Sequence, residues 1–283
     1  MNRWITGWVV LLLLLLPLPL AAQGIVNLVV QGNEVHAGIS LPANITADLT
    51  ISFEQAEGLS AESIGLSASL VSLTDTQLLA RLREVSIPSA FPVLIRIQPP
   101  AEGSLSFQGV ASIEVHTHLL PFTLNTPLRL YAAPEGGLFR DITASVGMGS
   151  YRAVGRKGSF SELLILVDLR TANQVIAQKL DILDQLLADH EAAIAPAVFS
   201  DLSALAAEIR SKHSAGRTQA AISKTEEFVA LVQAHSGADI PDVWRSARDL
   251  TNVAGLLRAA GETLRFSLIM KQQQQGGLLG GLL

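Results

Sequence analysis

Residues 160–187 read FSELLILVDLRTANQVIAQKLDILDQLL, and the spacing of the apolar side chains changes within this stretch. From Leu163 to Leu169 the chain is apolar on both alternating faces, which is typical of a strand in the centre of a sheet. After Arg170 the apolar residues recur at helical spacing, as Ile176, Leu180, Leu183 and Leu187. This change predicts a multidomain β plus α protein, with an N-terminal antiparallel β-sandwich followed by a C-terminal antiparallel four-helix bundle.

The N-terminal half, residues 23–170, shows the two-residue period of half-buried strands. In residues 45–53, apolar side chains alternate with polar ones such as Asp48. About eight to ten such strands, separated by Gly, Pro and Asn turns, precede Arg170, and this pattern is typical of a sandwich or barrel. Only residues 76–84 have a helix-like pattern. We therefore predict a β-sandwich domain over residues 23–170.

The C-terminal half, residues 171–269, carries four apolar stripes at helical spacing, the last of them over residues 242–266. Short connections make consecutive helices antiparallel neighbours, which predicts a helical bundle domain. Trp244 lies beside the last stripe and is interpreted as a packing residue of the bundle or of the domain interface. Residues 270–283 are rich in Gln, Gly and Leu without a period, which predicts a disordered tail. The apolar end of this tail is a candidate strand for a groove in a partner protein.

Residues 1–22 have the three-part pattern of a secretory signal peptide. A charged start with Arg3 precedes an apolar run over residues 9–16, which is shorter than the ~20 residues that span a bilayer. Since the chain contains no cysteine, neither an acylated N-terminal cysteine nor a disulfide is expected. The sequence predicts an exported protein, periplasmic or secreted, that is not a lipoprotein and has no transmembrane helix in its mature chain.

Charge and motifs exclude several classes of function. The chain has 20 basic and 25 acidic residues, so no basic face for nucleic acid is expected. It has no Gly-x-Ser-x-Gly elbow and no cysteine nucleophile. The run Gly147-Met148-Gly149 lacks the third glycine and the following helix of a dinucleotide-binding loop. No catalytic and no cofactor-binding residue is predicted.

The residues with the strongest site signal are Glu114, His116 and His118 in the run EVHTH. Alternation along a strand places these three side chains on one face, with the histidines ~6.6 Å apart. Two imidazoles and a carboxylate at this spacing are candidate ligands of one metal ion, as in a catalytic zinc site with three protein ligands. The alternative is an ordinary solvent-facing side of the strand. The opposite face is the apolar one, with Ile113, Val115, Thr117 and Leu119.

Three acidic residues, Asp141, Glu162 and Asp168, lie in the region that is richest in predicted strands. Asp168 and Arg170 share a strand face and are two residues apart, which favours an ion pair. We interpret these carboxylates as members of structural pairs, with general acid–base chemistry as the alternative.

Several stretches carry a family resemblance: GGLFRDIT at 136–143, GSYR at 149–152, FSEL at 160–163, EVHTH at 114–118 and the segment 243–255. They resemble an uncharacterised family of secreted bacterial proteins, and the resemblance implies no activity. Residues 202–241 are similar to the FIMAH helical module of extracellular bacterial proteins, through Gly216-Arg217, Ala220-Ala221, Phe228 and His235-Ser236-Gly237. That similarity implies an accessory helical unit without catalysis.

These observations predict an exported, non-catalytic cell-envelope protein that acts as a binding or assembly module. Its expected partner is another envelope or extracellular protein, and no cofactor is expected. Two alternatives stay open. One is a metal-dependent enzyme that uses Glu114, His116 and His118, and the other is a protein that binds a small ligand or carbohydrate. The aromatic content of 5% argues against stacking on sugar rings.

Overall fold

The computed structural model describes residues 24–123 and 125–280. The predicted signal peptide, residues 1–22, lies outside the described residues, as do residues 281–283 of the predicted tail. The described part is mixed β and α, with antiparallel sheets mostly in the N-terminal half and helices in the C-terminal half. Over these residues, no helix is both long and apolar enough to cross a bilayer.

The N-terminal half forms two antiparallel sheets. Its strands are β1 (Ile25–Gln31), β2 (Glu34–Leu41), β3 (Ile45–Glu57), β4 (Leu66–Leu70), β5 (Val93–Ile97), β6 (Ser106–Pro121), β7 (Leu128–Ala133), β8 (Arg140–Asp141), β9 (Thr143–Gly147), β10 (Ser150–Lys157) and β11 (Glu162–Val167). The first sheet has the order β1-β2-β3-β6-β10-β9, and the second has the order β4-β5-β11-β7-β8.

The first sheet has one buried and one solvent-facing side. In β3 the buried side chains are those of Ile45, Ala47, Leu49, Ile51 and Phe53. Asp48 lies between them and is exposed, so the predicted alternation over residues 45–53 is confirmed. The register between β3 and β6 places Asp48 opposite His116. This pairing determines which side chains surround the candidate metal ligands.

Strand β11 lies in the centre of the second sheet, between β5 and β7. Leu163 and Ile165 belong to the main core, whereas Leu164 and Leu166 belong to a smaller cluster on the other side of the sheet. The segment around the short helix α1 (Thr76–Ala80) covers that smaller cluster. The prediction of a central strand that is apolar on both faces is therefore confirmed.

The two sheets share one hydrophobic core. Ile51 and Ile113 of the first sheet belong to the same cluster of buried side chains as Ile95 and Leu163 of the second. In a chain without cysteine, burial of this apolar surface is the main favourable contribution to folding.

Four long helices follow Arg170: α2 (Ala172–His190), α3 (Pro196–Ser214), α4 (Thr218–Ala234) and α5 (Val253–Gly280). With α1, the described residues contain five α-helices. Helix α2 begins at a capping box formed by Thr171 and Gln174. The predicted stripe of α2 is confirmed, because its four residues are buried in a second core that all four long helices share.

The last helix begins later than the sequence pattern indicates. Residues 243–245 form strand β12 (Val243–Arg245), which pairs with β6, and α5 begins only at Val253. The prediction of helix over residues 242–252 is therefore wrong. The reason is Trp244, whose ring lies 4.8 Å from that of Phe160 and 5.5 Å from that of Phe107. Trp244 is a packing residue, as predicted, but it packs in the core of the sheets.

The start of α5 is in direct contact with the first sheet. The side chain of Asn252 accepts a hydrogen bond from the amide of Gly255 and donates one to the carbonyl of Gly109, both at 2.6 Å. A Cβ atom at Gly255 would lie 2.4 Å from the Gly109 carbonyl oxygen, and one at Gly158 would lie 2.3 Å from the amide nitrogen of Leu256. Glycine is therefore required at both positions, and the two halves of the chain are closely packed on each other.

Helix α5 also continues to Gly280, whereas the sequence predicts a disordered tail from residue 270. Leu268 is buried in the helical core, and Lys271 is also buried. Gln272 donates a hydrogen bond of 2.8 Å to Gln219 of α4. These contacts extend the helix beyond the point where its apolar period ends.

Candidate functional site

Strand β6 presents Glu114, His116 and His118 on the solvent-facing side of the first sheet. Val115 and Thr117 lie between them and are fully buried, so the alternation follows the prediction. The His116 side chain is 23% exposed and the His118 side chain is 43% exposed. Both imidazoles can therefore be reached from solvent.

Asp48 on the neighbouring strand β3 forms a cluster with the two histidines. Its Oδ2 atom lies 3.0 Å from Nε2 of His118 and 3.4 Å from Nδ1 of His116. One ligand atom from each of the three residues lies within 4.8 Å of the other two. Donor atoms this close together can coordinate a single ion. Asp48, His116 and His118 are called the metal cluster below.

Glu114, the third ligand that the sequence analysis predicts, is not part of the metal cluster. Its Oε1 atom lies 3.4 Å from Nε of Arg152 on β10. The register of β3 and β6 places Glu114 opposite Thr50. That pair lies two residues along each strand from the pair of Asp48 and His116. The structure therefore brings Asp48, and not Glu114, together with the two histidines.

Each imidazole has a hydroxyl group next to the ring nitrogen that points away from Asp48. Nε2 of His116 lies 2.6 Å from Oγ of Ser150, and Nδ1 of His118 lies 3.0 Å from Oγ1 of Thr46. Without an ion, Nε2 of His118 donates to the Asp48 carboxylate, which can only accept. An ion would replace that proton, and the far nitrogen would then donate to the hydroxyl oxygen. Hydrogen bonds of this kind orient histidine ligands at protein metal sites.

A positive charge lies beside the metal cluster. Nη2 of Arg152 is 3.4 Å from Nδ1 of His116, while Nε of the same side chain faces Glu114. A guanidinium at this position repels a metal ion. The Arg152 side chain is 45% exposed, so its position is not fixed by burial.

The three acidic residues singled out in the β region are all buried and paired. The pairs are Glu162 with Arg81 and Arg96, Asp141 with Lys179, and Asp168 with Arg170 and Tyr131. The closest approach in each pair lies between 2.5 and 2.8 Å. This geometry supports their interpretation as structural pairs, because the carboxylate oxygens are engaged with neighbouring cations or a hydroxyl.

The Asp168 pair predicts a loss of stability in acid. Burial by itself raises the pKa of Asp168, but hydrogen bonds from Arg170 and Tyr131 outweigh it, so the pKa is lowered overall. A carboxylate with a lowered pKa stabilises the folded state above the unfolded pKa of ~3.9, and this contribution is lost as the pH falls towards the folded value. In urea unfolding between about pH 5 and pH 2.5, we expect wild type to lose stability more steeply than Asp168→Asn. Parallel pH profiles would contradict this expectation.

Comparison with known proteins gives a family without an assigned function. The model of the "Family of unknown function (DUF6689)" matches residues 10–272, a range that contains the metal cluster and both sheets. No curated protein and no solved structure matches the chain. The expected membership of an uncharacterised family is thereby confirmed, and the chain belongs to the DUF6689 family of unknown function.

Proposed function

We propose that the protein is an exported, non-catalytic binding module of the bacterial cell envelope and that it binds a divalent transition metal ion through the metal cluster. In this proposal the sheets form a β-sandwich over residues 23–170 and the long helices an antiparallel four-helix bundle over residues 171–269. Export is inferred from the pattern of residues 1–22, and the absence of cysteine argues against a lipoprotein. The expected partner is another envelope or extracellular protein.

One observation carries the metal assignment. Oδ2 of Asp48, Nδ1 of His116 and Nε2 of His118 face one another, and the remaining ring nitrogen of each histidine is next to a hydroxyl group. His36 on β2 also lies between a carboxylate and a hydroxyl, and the metal cluster differs from it in bringing two imidazoles together on one carboxylate. Two imidazoles and one carboxylate are a common ligand set for Zn²⁺, which also leaves a fourth position for water. We therefore expect Zn²⁺ to bind, with Cu²⁺ and Ni²⁺ as the other ions suited to these donors.

Exposure favours binding over catalysis. The Asp48 side chain is 60% exposed, and the metal cluster lies on the solvent-facing side of a sheet. Metal-dependent hydrolysis benefits from an enclosed site with a free general base. Glu114, the neighbouring carboxylate on the same face, faces Arg152 instead. The open coordination position keeps a metal-dependent enzyme as the second candidate, which would show itself by zinc-dependent turnover of ester, peptide or phosphate substrates.

The test is a zinc titration of the mature chain, purified without a histidine tag and freed of metal by a chelator. By calorimetry at about pH 7.5, we expect wild type to bind one equivalent of Zn²⁺. Asp48→Asn and His118→Ala should each weaken binding by more than ~100-fold, and Ser150→Ala by ~10- to 100-fold. Arg152→Met should strengthen binding, because it removes the repelling charge.

Two variants serve as matched controls on the same sheet. His36 lies on β2 with an exposed side chain next to Glu34, so His36→Ala should leave zinc affinity unchanged. Glu114→Gln should also retain the affinity, which distinguishes the observed cluster from the ligand set expected from sequence. Less than a tenth of an equivalent of zinc on wild type, or an equal loss in Asp48→Asn and Glu114→Gln, would refute the assignment.

A further inference from the structure

A cavity of about 430 Å³ lies between the sheets and the helices. The ends of β7, β8 and β10 form one wall, and α2 and α5 form the other. None of the three metal-cluster residues lines it. This volume is within the range of small-molecule sites, which often lie where two packed parts of a protein meet.

Much of the cavity lining is apolar. The apolar side chains that contribute include Leu138, Ile142, Ile182, Leu186, Leu256 and Ala260. Leu138 is more than a third exposed, although it is a large apolar residue. A ligand with an apolar body would remove this surface from water.

The charged residues of the lining are mostly basic. The lining contains one acidic residue, Asp141, and four basic residues, which are Arg140, Arg156, Lys157 and Lys179. Lys179 lies 2.8 Å from Asp141, and Arg156 lies 3.1 Å from Glu262, so both have counter-charges. Across residues 24–123 and 125–280, Lys157 and Arg140 form no ion pair. The cavity therefore holds two cations without an anionic partner.

Both cations line the same cavity, with Lys157 half-buried and Arg140 exposed. Burial lowers the pKa of Lys157 to about 8, and the charge of Arg140 lowers it further. Two neighbouring positive charges in a partly buried site repel each other, and a bound anion would remove this repulsion and supply charge-assisted hydrogen bonds. A cationic ligand would increase the repulsion, and a neutral one would leave it in place.

We infer that the cavity between β7, β8, β10, α2 and α5 binds a small amphiphile with one anionic head group, recognised by Lys157 and Arg140, and an apolar body, which contacts the leucine and isoleucine side chains of the lining. This inference goes beyond the proposed metal binding and does not depend on it, because no residue is shared between the two sites.

The experiment is a calorimetric titration of metal-free protein with four ligands that share a ten-carbon chain. Decanoate and decyl phosphate carry an anionic head, decanol is neutral and decyltrimethylammonium is cationic. We expect one equivalent of each anionic ligand to bind, and the neutral and cationic ligands to bind at least about tenfold more weakly. The ratio of the dissociation constants of decanoate and decyl phosphate shows whether the site prefers a carboxylate or a phosphate head group.

Two variants test the role of Lys157. Lys157→Met removes the charge and keeps the length of the side chain, and it should weaken decanoate binding by about tenfold or more. Lys212→Met, on α3 and outside the cavity lining, should leave binding unchanged. Thermal unfolding of each variant without ligand checks that the fold is retained.

Three results would overturn the inference. One is equal affinity for decanol and decanoate, which would indicate an apolar cavity without anion recognition. The second is unchanged decanoate affinity in Lys157→Met. The third is no binding of either anionic ligand to wild type. Since the protein is free of metal, none of these outcomes depends on the metal cluster.

Discussion

Replacing Trp244 with alanine is expected to lower the free energy of unfolding by about 3–5 kcal/mol. The Trp244 side chain is 8% exposed and contacts the rings of Phe107 and Phe160 in the core of the sheets. Its loss leaves a cavity and also weakens the pairing of β12 with β6. Because α5 begins a few residues after β12, we expect the sheets and the helices to unfold in one shifted transition.

Urea unfolding followed by circular dichroism in the helical and near-ultraviolet regions measures this effect. Met148→Ala is the control, because the Met148 side chain is 84% exposed and should change stability by less than about 0.5 kcal/mol. A loss below about 1 kcal/mol in Trp244→Ala, or two separate transitions with an unchanged helical one, would contradict the expected role of Trp244.

The second large effect is expected at Lys179, which connects α2 to the second sheet. Its Nζ atom lies 2.8 Å from Oδ2 of Asp141 and donates a hydrogen bond of 2.9 Å to the carbonyl of Thr263. Burial lowers the pKa of Lys179, and the attraction of Asp141 offsets part of this. Lys179→Met leaves the Asp141 carboxylate buried without a counter-charge and should cost about 3–5 kcal/mol of stability.

A double variant separates the loss of the pair from the burial of an unpaired charge. Asp141→Asn in the Lys179→Met background keeps an acceptor for the amide of Thr143 and removes the negative charge. It should recover about half or more of the lost stability. Lys224→Met is the control, since Lys224 and its partners Glu208 and Glu227 are partly exposed and such pairs contribute little. No recovery in the double variant would contradict the electrostatic explanation.

The sequence predicted the elements whose pattern is local. The alternation over residues 45–53 and the continuous apolar run of β11 depend only on neighbouring residues, and both are confirmed. Strand β12 was missed because Val243, Ala247, Leu250 and Ala254 fit the helical period. What determines its conformation is the contact of Trp244 with Phe107, and a non-local contact leaves no periodic signal in the sequence.

The same distinction between local and non-local patterns applies to the candidate site. Period-two alternation correctly placed Glu114, His116 and His118 on one face of one strand. The third member of the metal cluster, Asp48, lies 70 residues before His118, and only the register of β3 and β6 brings them together. The cavity beside Lys157 was not predicted, because five separate elements contribute to its walls.

The pairing of β12 with β6 has a consequence for the order in which the protein can assemble. Between Ser106 and Gln108, β6 pairs with β3 on one side and receives β12 on the other. Asn252, whose side chain at the start of α5 donates a hydrogen bond to the Gly109 carbonyl, lies 143 residues after Gly109. When the chain emerges N-terminus first, this part of β6 therefore has unpaired backbone groups until nearly the whole chain is available. An unpaired sheet edge of this kind is a site where a chaperone or an aggregating neighbour can bind.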